Sequence, residues 1–93
     1  MTDLNELQIK LDKASEYVQN SQFDEAINEL KKGMKESDCS VCQYELGIQI
    51  ANISHNRDIC ILCSDTCNEE KEAVIEQIAE LKQDFELAKE VLE

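Results

Sequence analysis

All five cysteines of this chain fall in two short stretches, ESDCSVCQ at 36–43 and CILCSDTC at 60–67. Each stretch contains a Cys-x2-Cys pair, and seventeen residues separate Cys42 from Cys60. That spacing is the pattern of a four-thiolate zinc site. Zinc takes sulfur and nitrogen ligands in a tetrahedron, and two intervening residues let one turn of backbone supply two of them. Cys39, Cys42, Cys60 and Cys63 are therefore the expected metal ligands. Cys67 is an alternative, because Cys60, Cys63 and Cys67 are spaced 3 and 4 apart and share one helical face. Soft thiolates also suit Cu(I) or an iron–sulfur cluster. Without metal, the same residues fit a helical hairpin stapled by Cys39–Cys67 and Cys42–Cys63, with Cys60 buried between them. A fourth chemistry is redox exchange, since a Cys-x2-Cys at a helix start has a lowered thiol pKa.

No other reactive set stands out. The one histidine, His55, lies at an expected turn and reads as a surface residue. There is no glycine-rich phosphate loop and no HExxH, and the carboxylates recur at helix-surface spacing. We therefore expect no enzyme. The net charge of -12 argues against nucleic acid and anionic membranes, because binding phosphates needs clustered Lys and Arg. The same charge favours a basic protein partner. The start, MTDLNELQIK, has no apolar leader region, and the longest apolar run is ICILC. These features lead us to expect a cytoplasmic protein, where thiols stay reduced.

The elements that must position these thiols are helical. Proline is absent, only two glycines occur, and Glu, Lys, Leu, Ala and Gln dominate. Leu4, Leu7, Leu11, Ala14 and Val18 form one apolar seam and predict a helix over 3–20. Ser21 with Asp24 reads as a capping box opening a second helix, 22–36, with Phe23, Ala26, Ile27, Leu30 and Met34 on its face. Ser40 with Gln43 reads as another box, starting a third helix near 41 that buries Val41, Leu46, Ile50 and Ile53. Ser54-His55-Asn56 reads as a turn, followed by a short fourth helix over 57–65. Thr66 with Glu69 opens the last helix, 67–92, along the seam Val74, Ile78, Leu81, Phe85, Ala88 and Leu92. The two terminal seams are expected to pack on each other. A homodimer or partner helix seated on the long last helix is the alternative.

Residues 14–33, ASEYVQNSQFDEAINELKKG, resemble the central part of a tetratricopeptide repeat. Ala14 and Tyr17 fall at the small and aromatic positions of its first helix, and Phe23 and Ala26 at those of its second. Leu30 and Gly33 fit the later apolar and small positions. Leu46-Gly47 resembles the opening of a following repeat, with Gly47 33 residues after Ala14. Lys10 and Lys13 depart from apolar positions of that pattern, Ser21 replaces a turn glycine, and no closing proline follows. The resemblance implies stacked antiparallel hairpins with a peptide-binding or scaffolding role and no catalytic residues.

The sequence thus predicts one all-α domain over 1–93. It has about five helices, as antiparallel hairpins plus a long C-terminal helix, and a cysteine cluster at 39–67. The expected function is protein–protein interaction by a zinc-stabilised helical module. A metal-handling or redox protein, or a disulfide-stapled hairpin, is the competing reading.

Overall fold

The computed structural model describes residues 3–92, apart from the side chain of Leu92, and in it four helices replace the expected five. They are α1 (Leu4–Gln19), α2 (Phe23–Glu36), α3 (Ser40–Leu62) and α4 (Ser64–Leu92). No strand occurs among the described residues. Each helix packs on its neighbours in chain order, and α4 returns to pack on α1, so the four close into a ring. Connections of three, three and one residues make consecutive helices antiparallel. No described helix is long and apolar enough to cross a membrane.

The apolar seams became the core. Leu7, Leu11, Ala14 and Val18 of α1 are buried against Phe23, Ala26, Ile27 and Leu30 of α2 and Val74, Ile78, Leu81 and Phe85 of α4. Leu92, the last position of the expected seam, lies outside the described side chains. Polar side chains tie α1 to α4 along their length. Gln8 Nε2 donates to the Lys82 carbonyl at 3.2 Å and to Glu86 at 2.9 Å. Lys89 donates to Asn5 at 2.6 Å and to Gln8 Oε1 at 2.9 Å, and Lys82 pairs with Asp12 at 2.8 Å.

The expected turn at Ser54-His55-Asn56 is absent, and α3 runs unbroken through it. The reason is a seam the sequence disguises. Cys42, Leu46, Gln49, Ile53, Asn56 and Cys60 step by 4, 3, 4, 3 and 4 along one face. The first five are buried and Cys60 packs against the core. Asn56 is a core residue, fully buried, and not a loop residue. Its Nδ2 donates to the Cys67 carbonyl at 3.4 Å, which draws the start of α4 onto α3. His55 points to solvent, as expected.

Two caps also differ from expectation. Ser21 does not cap α2; Gln22 precedes the helix and makes no side-chain cap. Ser21 instead sits at φ 61°, ending α1. The Gln22 N–H donates to the Tyr17 carbonyl at 2.7 Å and the Ser21 N–H to the Val18 carbonyl at 3.0 Å, a Schellman termination usually given to glycine. The second case is α3, where the cap is Cys39 rather than Ser40. Gln43, released from the box, donates to the Ser37 and Met34 carbonyls and closes the end of α2.

The helices differ in length, so the bundle has two unlike ends. Arg57 of α3 pairs with Asp24 at the start of α2 at 2.7 Å. Lys71 of α4 donates to Ser21 in the α1–α2 connection. Residues 58–70 therefore project past α1 and α2 as a two-helix tip in which no residue is buried. Two helices alone have no core to share, and here a disulfide between Cys60 and Cys67 joins them, with 4.5 Å between the Cα atoms. A bridge over so short a separation stabilises by roughly 2.5 kcal/mol on the chain-entropy scale.

Gly33 and Gly47 differ in what surrounds them. A Cβ on Gly33 would lie 3.1 Å from Lys10 Cδ, 3.3 Å from Leu7 and 3.4 Å from Leu46, because α1, α2 and α3 converge there. The Lys10 stem lies across this glycine while its ammonium reaches Glu36 at 3.5 Å, which accounts for a lysine at an otherwise apolar position. Gly47 meets only Met34, at 3.8 Å. Gly47→Ala is accordingly expected to raise stability by about 0.5–1 kcal/mol, as for alanine in a helix interior. Gly33→Ala is expected to lower it by about 1 kcal/mol through overpacking. Thermal or urea unfolding of the two variants checks the opposite signs. The double variant Cys60→Ser/Cys67→Ser is expected to lose amide-exchange protection over 58–70 while the α1–α2 hairpin keeps its own; protection lost evenly across all four helices would refute the tip as a separate unit.

Candidate thiol site

The continuity of α3 decides which cysteines can meet. Cys42 and Cys60 lie eighteen residues apart on one helix, about 27 Å at 1.5 Å per residue. Zn–S bonds are about 2.3 Å long. Within one chain of this structure, Cys39 and Cys42 therefore cannot share an ion with Cys60 and Cys63, nor with Cys67. Among the described residues, no group of three or more His, Cys, Asp or Glu side chains is arranged to hold a metal. The expected hairpin bridges Cys39–Cys67 and Cys42–Cys63 are absent for the same reason: the chain reverses at Cys63 and not at residues 54–56. The pair that this reversal brings together is Cys60 and Cys67, leaving Cys39, Cys42 and Cys63 as thiols.

Cys39 and Cys42 form the site with the most chemistry. Cys39 stands just before α3 with extended backbone, so its Sγ faces the open end of the helix. It accepts the Cys42 N–H at 3.2 Å. The first turn of a helix has unpaired N–H groups and a positive dipole end, and both favour an anion there. The two thiols are pushed in opposite directions. The Cys42 side chain hydrogen-bonds to the Cys39 sulfur and, with the Cys42 and Val41 amides, lowers the Cys39 pKa; partial desolvation and Asp38 oppose them. Burial, reinforced by the neighbouring Cys39 sulfur, pushes Cys42 up to about 12. Cys39 is half-buried and Cys42 buried. The pair is thus a reachable, acidic thiol backed by a covered, protonated one.

Beside these thiols opens a cavity of about 400 Å³. Leu4 of α1, Val41 and Glu45 of α3, and Leu81, Asp84, Phe85 and Ala88 of α4 line it together with both cysteines. The sequence expectation missed this groove because its walls come from three helices whose order around the ring was not known. The signal that survives in the sequence is Leu81, Phe85 and Ala88, three seam positions in the second half of α4. A second apolar strip lies next to it on the outer face of α3, where Val41, Tyr44 and Ile48 are exposed.

Cys63 is the other thiol. It forms the one-residue junction between α3 and α4, and its N–H makes the last bond of α3, to the Ile59 carbonyl at 2.7 Å. Its side chain is exposed, and hydrogen bonds from Thr66 lower its pKa. Thr66, expected to cap α4, lies instead in its first turn and bonds back to Cys63. Ile61 and Leu62 beside it are also exposed.

No family profile matches the chain, and no curated protein or solved structure is detectably similar to it.

The thiolate is the reactive form of cysteine. A lowered pKa moves the rate–pH profile to lower pH, and a raised one moves it to higher pH. Iodoacetamide labelling, followed residue by residue by peptide mass, is thus expected to give Cys39 a midpoint below that of a free thiol and to leave Cys42 unlabelled at neutral pH until the protein unfolds. Cys42→Ala removes the thiol that hydrogen-bonds to Cys39 and is expected to shift the Cys39 midpoint upward. An unchanged midpoint would mean that Cys42 does not support the Cys39 thiolate.

Proposed function

We propose that this chain is a small helical thiol–disulfide module. It takes a protein segment into the groove between α1, α3 and α4 and exchanges disulfides with it through Cys39 and Cys42. The observation that supports this reading is the division between the two thiols, one acidic and reachable, the other protonated and covered, at the start of one helix and beside an apolar groove. The Cys60–Cys67 bridge, at the far end of α3, serves as a staple for the projecting tip.

The exchange balances as follows. The Cys39 thiolate attacks one sulfur of a disulfide in the bound segment. A Cys39–substrate bond forms, the substrate S–S bond breaks, and one substrate thiolate leaves. Cys42 then gives its proton to that departing thiolate and attacks Cys39 Sγ. The Cys39–Cys42 disulfide forms and the second substrate thiolate is released. The substrate gains two electrons and the dithiol loses them, so the reverse sequence oxidises a dithiol segment. The thiolate is the attacking form, so the lowered pKa of Cys39 against the raised one of Cys42 favours Cys39 as the entry point. The buried Cys42, held a turn away, makes the second step intramolecular.

The reading is tested by equilibrating the protein in glutathione buffers of graded poise, trapping free thiols with iodoacetamide and mapping each cysteine by mass. Cys39 and Cys42 are expected to pass together into a disulfide, and Cys42→Ser is expected to accumulate a mixed disulfide at Cys39. If Cys39 and Cys42 stay reduced wherever Cys63 becomes glutathionylated, the module reading fails. Native mass spectrometry of the reduced protein supplies the second arm: a retained equivalent of zinc or copper lost on Cys39→Ser would overturn exchange in favour of metal holding.

A further inference from the structure

The groove beside Cys39 has a consistent chemical character. Its floor is apolar, from Leu4, Val41, Leu81 and Phe85, and its two charged lining residues are both carboxylates, Glu45 on α3 and Asp84 on α4. Glu45 is half-buried and Asp84 exposed. No ion pair joins either to a cation among the described residues. No Lys or Arg lines the groove. The two lysines in the second half of α4 are committed elsewhere, Lys82 to Asp12 and Lys89 to Asn5, Gln8 and Glu86 on the α1 side. The potential at the mouth is therefore negative, and the net charge of -12 extends it outward.

We infer that the groove receives an extended protein segment with an apolar centre and Lys or Arg on either flank. The apolar side chains would occupy the cavity, whose volume of about 400 Å³ lies in the range of ligand sites. The flanking cations would meet Glu45 on one wall and Asp84 on the other. Anionic segments are rejected by the same two carboxylates, so charge sets which partner enters as well as how fast it arrives. Docking stands on the shape and charge of the groove. Only the delivery of a disulfide to Cys39 rests on the thiol-exchange reading above.

Fluorescence anisotropy on the whole reduced chain tests docking without chemistry. The probe is a short cysteine-free peptide with a Leu-rich centre and Lys flanks, compared with the same peptide carrying Glu flanks. The Lys peptide is expected to bind at least about tenfold tighter at low salt, and the advantage is expected to shrink as ionic strength rises. Glu45→Lys/Asp84→Lys is expected to invert the preference. Should the reversed protein fail to fold by circular dichroism, Glu45→Gln/Asp84→Asn, which keeps side-chain size, is expected to cut the ratio severalfold. Equal affinities in the native protein, or a preference that neutralisation leaves undiminished, would overturn the inference. The same peptides with a central cysteine held as a mixed disulfide with 2-mercaptoethanol separate the two ideas. Charge-selective docking without capture by Cys39 leaves the groove assignment intact and refutes exchange; capture by Cys39 without charge selectivity does the reverse.

Discussion

The unbroken packing of α3 against its neighbours governs the rest of this molecule. Its buried face includes Gln49 and Asn56 among apolar residues, and Asn56 has its amide nitrogen bonded to the carbonyl of Cys67. That contact sets where α4 begins and how its first turns lie against α3. Because α3 holds its course for 23 residues, the two cysteine groups are placed at opposite ends of the bundle and acquire separate environments. One end has a full complement of helices, a covered thiol and a groove. The other has two helices, a covalent bridge and an exposed thiol. Both environments follow from one rigid rod longer than α1 and α2.

Much of this architecture is legible in the chain. The all-helical class, the boundaries of α1 and α2 within a residue, and the mutual packing of the terminal seams all follow from apolar periodicity and the lack of proline. The break expected at Ser54-His55-Asn56 is absent, because the register of the buried α3 face prevails over the turn-forming residue types there. Gln49 and Asn56 occupy positions where the seam required burial, and a rule that expects apolar residues there reads a helix end. The unbroken 4-3 stepping from Cys42 to Cys60 was the better guide. The cysteine pairing failed with it: Cys-x2-Cys spacing describes what one turn can supply, and says nothing of whether two turns meet. The two boxes opened by serines failed for a related reason. Ser21 was needed to end α1, and a sulfur took the capping place that Ser40 was assigned.

Acidic surface and thiol chemistry also bear on each other. With 21 carboxylates against nine basic side chains, thiolates form here in a negative field that disfavours them. Asp38 acts in that sense on both Cys39 and Cys42. The acidity of Cys39 therefore comes from short-range hydrogen bonds at a helix start and not from neighbouring cations. Such bonds depend on local geometry and are little screened by salt, whereas the charges around the groove are screened.

The ring of helices is closed by contacts of very different reach. Three of the four helix pairs join chain neighbours across connections of one to three residues. The fourth, α1 on α4, joins positions 74 to 84 residues apart through Gln8, Asn5 and their partners. Long loops close late and at greater entropic cost than local hairpins. The groove draws Leu4 from α1 and Leu81, Phe85 and Ala88 from α4, so it comes into being only with this last closure. A chain that has folded its hairpins but not yet zipped its ends would lack the Leu4 wall of the groove. The groove is in that sense a record of assembly, complete only when the final contact of the fold has formed.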